Sequence, residues 1–361
     1  MDRNKLSNFG LIFLIIGNAL MLPYLTMPIL KISSSKNILL LLILSLLYMV
    51  LLDAPLLYYA NKRKNASLQR CADKNRNALV KIAGCVYLIL IGYIIYVYAN
   101  IIVQFIKIVI TPGLSYWVIV STIIATSVVL TVKGIKILLR VAVFFVPLLL
   151  FSILLFAIFS IPDLDATRLL PIYEKTTFIE INKIAILQAT LTSEVVILVF
   201  FTSYVNHGIS VKKLYFVSLM GIVVFLTITI LPTIMILGNK YPTLLLNPYY
   251  TFARQIKFYD SLERFHALSV LAGFPCMIMR LSTKCLTVNE IIKEVFKIVK
   301  TRGFVLGFIG MIVCGLLVTV SINSQIKDKL LNLEMYAIVI LVSNVVLTIF
   351  CWLSNHTKKQ L

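Results

Sequence analysis

Residues 38–52 read ILLLLILSLLYMVLL, fifteen residues without a charge, in which Ser45 and Tyr48 are the sole polar side chains. The run does not alternate apolar with polar, so it is not a half-buried strand or a strand of a porin-type barrel. It continues to residue 60 as a stretch of the length that an α-helix needs to cross about 30 Å of hydrocarbon. Working outward, similar runs recur along all 361 residues, and polar breaks divide them into ten spans: 9–31, 37–60, 81–107, 114–132, 139–160, 181–205, 214–238, 262–283, 303–322 and 335–354. The expected fold is an all-α integral membrane protein, a single polytopic domain over 1–361 with ten transmembrane helices. The run from Phe9 has no small-residue cleavage site and is expected to be a first span, not a removed signal peptide.

Composition agrees. Hydrophobic residues make up 60% of the chain and charged residues 13%, and the mean hydropathy is +0.98, which excludes an ordinary soluble domain. The net charge of +20 falls between the apolar runs, where cationic loops mark cytoplasmic flanks and not a nucleic-acid surface. An even number of spans puts both termini on one side. With both termini cytoplasmic, 21 Lys and Arg lie inside and 11 outside, leaving Arg264 and Arg280 within span 8, so cytoplasmic termini are favoured. Cys71, Cys85, Cys276, Cys285, Cys314 and Cys351 have no CxxC spacing, so neither a disulfide framework nor a zinc site is expected. No Walker A, HExxH or Ser/His/Asp pattern is present, and neither enzymatic activity nor a cofactor or metal is expected.

Between the spans, the basic 61–80 segment reads as a cytoplasmic loop with a short surface helix. Residues 288–300 place Val288, Ile291, Ile292, Val295 and Val299 on one helical face and read as an amphipathic helix on the inner leaflet. The outer loops 161–180 and 239–261, with Pro162, Asp163, Asp165, Pro171, Pro242 and Pro248, read as folded caps over an external opening. Ten spans divide five plus five, and an odd number per half inverts the second half. In such inverted repeats, discontinuous helices at corresponding positions hold substrate near the midplane. Spans 1 and 6 are that pair.

Span 1 carries Gly17, Asn18 and Ala19 six to four residues before Pro23. Glycine tolerates unusual backbone angles and proline removes an amide donor, so the helix either opens over Gly17–Ala19 or simply kinks. Span 6 carries Gln188-Ala189-Thr190-Leu191-Thr192-Ser193-Glu194, with Glu194 close to the bilayer centre, where an ionisable group costs at least about 2.5 kcal/mol and must face the bundle. It is either a ligand-binding carboxylate or a protonated structural group. On span 3, Tyr93, Tyr96, Asn100, Gln104 and Lys107 share one face over four turns. They line either a wet vestibule or an interhelical hydrogen-bonded seam. Weaker signals are Asp53, which Lys62 or Arg63 could neutralise; Arg280, which can snorkel to the inner surface; His266 at the outer end of span 8; and Gly303, Gly307 and Gly310 in span 9.

The stretches IGNALMLP (16–23), DLDATRLLPIYEKTTFIE (163–180), TSEVVILVF (192–200) and SLERFHALSVLAGF (261–274) together resemble the B subunits of spore nutrient germinant receptors, spore germination proteins of the amino acid/polyamine/organocation superfamily. The resemblance implies a five-plus-five, LeuT-like inverted repeat, a place in the spore inner membrane, and assembly with an A-type membrane subunit and a C-type lipoprotein. It also implies that the chain senses a small nutrient, commonly an amino acid. It maps the unwound segment to Gly17, Asn18 and Ala19 and the acid to Glu194. The family pattern often carries Gly or Pro before that acid, where this chain has Thr190, Thr192 and Ser193, so a break in span 6 stays open. The expected ligand site is Gly17, Asn18, Ala19, Tyr93, Tyr96, Asn100, Thr190, Ser193 and Glu194, with the ligand carboxylate on free amides of span 1 and its amine on Glu194. Competing expectations are a proton-coupled amino acid transporter and a pure assembly scaffold.

Overall fold

A backbone in hydrocarbon must satisfy its own amides and carbonyls, and a continuous apolar run does so as a helix. The computed structural model describes residues 8–27, 29, 37–64, 78–169, 178–201, 210–238, 241–256, 266–296 and 332–356, and among them there are helices and no strand. In chain order they are α1 (Asn8–Thr26), α2 (Ile38–Lys64), α3 (Ala78–Phe105, continued by a π-helical turn Ile106–Ile110), α4 (Tyr116–Lys133), α5 (Ile135–Phe159), α6 (Phe178–Thr192), α7 (Val195–Phe201), α8 (Val211–Leu237), α9 (Pro248–Gln255), α10 (Ala267–Phe296) and α11 (Leu333–His356). Eight of the described spans are long and apolar enough to cross a membrane, with α6 and α7 forming one of them. Expected span 9 and the surface helix of the 61–80 loop lie outside the described residues.

Local chemistry sets several boundaries. Gly134, at φ +80°, makes the sharp turn between α4 and α5 that a side chain would strain. Ser210 caps α8 by accepting from the Lys213 amide at 3.2 Å. The 161–169 segment is folded: Asp165 accepts from the Thr167 amide at 3.0 Å and from the Thr167 hydroxyl at 2.5 Å. Arg168 bonds Asp165 at 3.2 Å and also donates to the Ile236 carbonyl at the end of α8. These bonds, those from Thr167 foremost, hold the Asp165 carboxyl below the usual carboxylate range. The short helix α9 packs on the end of α1, with Tyr249 against Tyr24 at a ring separation of 4.9 Å.

Burial identifies the centre of the bundle. In α1 and in the α6–α7 pair, 83% and 89% of the apolar window is buried, against 28–44% in the other six. Around them, α1 packs on α5 and α8, α2 on α6 and α7, and α10 on α5, α3 and α4, while α11 lies on α3. Cys85, Cys276, Cys285 and Cys351 form no disulfide among the described residues.

Two expectations change. First, α1 is continuous through Gly17–Ala19. Gly17 serves a close approach and not a break: a Cβ there would meet Val146 Cγ2 at 2.5 Å and Met279 Cε at 2.9 Å. The Asn18 amide folds back onto the Leu14 carbonyl at 2.6 Å, staying within the helix. Second, residues 288–296 are not a separate helix on the inner leaflet but the last turns of α10. Ile291 and Val295 are buried against protein, and Val295 sits so near Gly84 of α3 that a Cβ there would meet Val295 Cγ2 at 2.3 Å. A stripe of that kind covers another helix as readily as it covers lipid, and Gly84 supplies the groove.

Candidate functional site

Span 6 is broken at Ser193 and Glu194, between α6 and α7. The residues leading into the break explain it. Thr190 donates its hydroxyl to the Leu187 carbonyl at 2.7 Å, and Thr192 donates to Gln188 at 3.0 Å and to Ala189 at 3.2 Å. Such bonds compete with the helical ladder. The β-branched Val195, Val196 and Ile197 that follow are weak helix formers. The chain re-enters a helix when the Ile197 amide bonds the Glu194 carbonyl at 3.1 Å. Hydroxyls thus do here what Gly or Pro would otherwise do.

Each side of the break is clamped. On one side Asp53 of α2 accepts from Ser193 Oγ at 2.6 Å and from Tyr215 Oη of α8 at 3.0 Å. Asp53 is fully buried and its partners are hydroxyls, not the expected Lys62 or Arg63; Lys62 lies exposed. On the other side Glu194 meets two cations of α10, Arg280 Nη2 at 3.1 Å and Lys284 Nζ at 2.6 Å. Four residues separate these cations, which puts them on one helical face. All three side chains are withdrawn from solvent, at 0% exposure for Glu194, 2% for Arg280 and 13% for Lys284. Arg280 also donates Nη1 to the Asn18 carbonyl of α1 at 2.8 Å, and its guanidinium lies 5.0 Å over the Tyr98 ring of α3. It therefore does not snorkel. The compensating carboxylate is inside, and Arg280 fastens both central helices to α10.

A cavity of about 20 Å³ adjoins this cluster, lined by Ser193, Glu194 and Val196 at the break, Arg280 and Lys284 of α10, Tyr87, Ile91 and Ile94 of α3, and Ile340, Ser343 and Asn344 of α11. That is room for a water or a single ionic group. Several buried polar atoms here have no hydrogen-bond partner among the described residues: Arg280 Nε, Glu194 Oε1, Asn18 Oδ1, Tyr98 Oη and both amide atoms of Gln188. Buried polar atoms in folded proteins are normally bonded, to protein or to ordered water. Among the described residues no three His, Cys, Asp or Glu side chains converge to hold a metal.

The structure brings together Asn18, Ser193 and Glu194 of the expected site. Gly17 and Ala19 are buried one residue to either side, and Thr190 bonds its own helix. Tyr93, Tyr96 and Asn100 are not at the cavity. Asn100 is buried and donates to the Tyr96 carbonyl at 3.0 Å, while Tyr87, Ile91 and Ile94 present the other face of α3 to the cavity. Both Glu194 oxygens face protein cations, Arg280 and Lys284. The residues missed were Arg280 and Lys284 as partners of Glu194, and Ser343 and Asn344. A polar Ser-Asn pair in the middle of the last apolar run was the available signal.

The sequence comparison identifies the family to which this buried, broken helix and its ion cluster belong. The model of the spore germination protein (spore permease) family matches residues 5–329. The chain belongs to that family. No curated protein matches it. The family and the apolar helices make it a multi-pass membrane protein of spore germination.

Proposed function

We propose that this chain is the nutrient-sensing subunit of a spore germinant receptor, binding a small ligand, an amino acid first, where the span 6 break meets α1 and α3. It works in the spore inner membrane with both termini cytoplasmic, alongside an A-type membrane subunit and a C-type lipoprotein. The observation that carries the reading is the break at Ser193–Glu194, held between two buried clamps on a permease-like scaffold. Discontinuous backbone at membrane depth is tolerated where it lines a cavity, and such breaks form substrate sites. The central burial of α1 and α6–α7 supports a five-plus-five arrangement in which they correspond.

The test is thermal unfolding of the purified chain, alone and with its receptor partners, against amino acids, sugars and nucleosides. A ligand at 100 times its Kd stabilises by about 2.7 kcal/mol, a clear shift, and an amino acid is expected to produce it. Absence of a shift from all three classes would leave an assembly scaffold. A proton-coupled amino acid transporter is the second reading, favoured by Asp53, a buried acid at the break that accepts from the Ser193 and Tyr215 hydroxyls. Counterflow of labelled amino acid in proteoliposomes belongs to the transporter and not to the sensor. Orientation is tested at Cys71, expected to resist an impermeant thiol reagent applied from outside.

A further inference from the structure

Among the described residues, the cavity beside the break is lined by two cations and one carboxylate. Lys284 has three N–H donors, and one of them reaches Glu194. Among the described residues Arg280 keeps an unpaired Nε–H, and Tyr87 and Asn344, whose side chains can donate as well as accept, line the same wall. On the acceptor side Glu194 is held in ion pairs with two cations, though its Oε1 makes no hydrogen bond among the described residues, and the Ser193 hydroxyl donates to Asp53. Among the described residues, two cations against one carboxylate leave one positive charge in excess. Asp53 does not pair with it, since its two oxygens face Ser193 and Tyr215 across the break.

We infer that this cavity is an anion site, in which Lys284 and Arg280 receive a small monovalent anionic group, a carboxylate or a halide. A buried unpaired cation is costly and an anion at bonding distance relieves it. Charge-assisted bonds from ammonium, guanidinium and phenol are the strong ones in such a site. About 20 Å³ admits one ionic group and not a whole nutrient. If the anion is the ligand's own carboxylate, the inference rests on the ligand-binding reading above and reverses the polarity of recognition: the ligand's negative end, not its amine, comes to the Glu194 cluster. If it is a free halide, it stands without that reading.

The experiment is thermal unfolding of the full chain at constant ionic strength, with sodium formate, sodium acetate or sodium chloride replacing sodium methanesulfonate, a weakly hydrogen-bonding reference anion. Wild type is expected to show saturable stabilisation by formate. Lys284→Gln leaves Arg280 and Glu194 as a balanced pair, so the half-saturating concentration should rise at least about tenfold, and Lys284→Arg should restore it. Competition of acetate and glycine with chloride identifies the ligand's carboxylate; chloride saturation untouched by either identifies a free ion. No saturable response of wild type to any of the three salts, or an unchanged half-saturation in Lys284→Gln, overturns the site. Should Lys284→Gln not fold, Asn344→Leu removes a donor and no charge, and an unchanged formate response there overturns it equally. Stabilisation by an amino acid without any response to formate, acetate or chloride would sink the anion site alone; the converse would sink the nutrient reading alone.

Discussion

Replacing Glu194 by Gln is expected to destabilise the whole chain and not simply to retune a binding site. The carboxylate is the counter-charge to Arg280 at 3.1 Å and Lys284 at 2.6 Å, with all three groups buried. Glutamine keeps the shape and one acceptor but leaves two cations uncompensated. Breaking a buried pair by removing one partner costs about 3–5 kcal/mol, because the remaining charge stays desolvated. For a chain of this size each kcal/mol is worth about 2 °C, which gives a fall in Tm of about 6–10 °C. The buried thiols of Cys276, Cys285 and Cys351 provide the assay, since a thiol-reactive fluorophore reports their exposure on unfolding. Adding Lys284→Gln to Glu194→Gln removes one of the stranded cations and should recover part of the loss. Lys284→Gln alone, which leaves a balanced Arg280–Glu194 pair, should cost less than Glu194→Gln alone. A Glu194→Gln chain that unfolds within about 2 °C of wild type would refute the charge argument, and would mean that Glu194 is already protonated or that the cations find other anions.

Asp53→Ala leaves the buried Ser193 hydroxyl without its carboxylate acceptor, at about 1–3 kcal/mol, and Tyr215 with the Met49 carbonyl at 3.5 Å; Asp53→Asn keeps one oxygen facing Ser193 and should cost less, as read from the same unfolding assay. Gly17→Ala drives a Cβ to 2.5 Å from Val146 Cγ2, an overpacking cost of about 1–3 kcal/mol, and Val146→Ala in the same chain should relieve it. For Asp165 the folded carboxyl sits below the ordinary value of 3.8, so its hold on the 161–169 segment is present above that value and is lost as pH falls through the folded pKa. Pepsin cleavage within that segment should rise in wild type below pH 3.8 and should already be high above it in Asp165→Asn.

Much of the fold was legible because hydropathy is a local property. Each described apolar run is a helix, and the polar breaks at Gly134 and around 161–169 fall where turn chemistry put them. Depth alone singled out Glu194, since few residues in such a run can be ionised without a reason. What local reading missed was governed by partners far along the chain. Gly17 looks like a hinge until Val146 and Met279 are seen against it. Asp53 invites a neighbouring Lys62, yet Ser193 and Tyr215 reach it first. The span 6 break has no Gly or Pro, and the hydroxyls of Thr190 and Thr192 that weaken the helix give no sign of it in a hydropathy profile. Tyr93, Tyr96 and Asn100 form a real polar face, but a helix periodicity fixes which residues share a face and not which neighbour that face meets.

The largest error was instructive about where the chemistry lies. A rule that assigns basic residues to cytoplasmic loops counted Lys284 as the first residue beyond span 8 and let Arg280 snorkel. The same two charges keep α10 outside the set of helices apolar enough to cross a membrane, although it is 30 residues long and packs in the middle of the bundle. Both failures have one cause. Arg280 and Lys284 stay buried because Glu194 is presented to them at the span 6 break, and the break in turn is pinned by them and by Asp53. Local preference and global fold usually agree, and residues that violate local preference tend to mark functional positions. Here a cation pair that should have ended a helix continues it, and the cavity beside that pair is where a ligand has donors to meet.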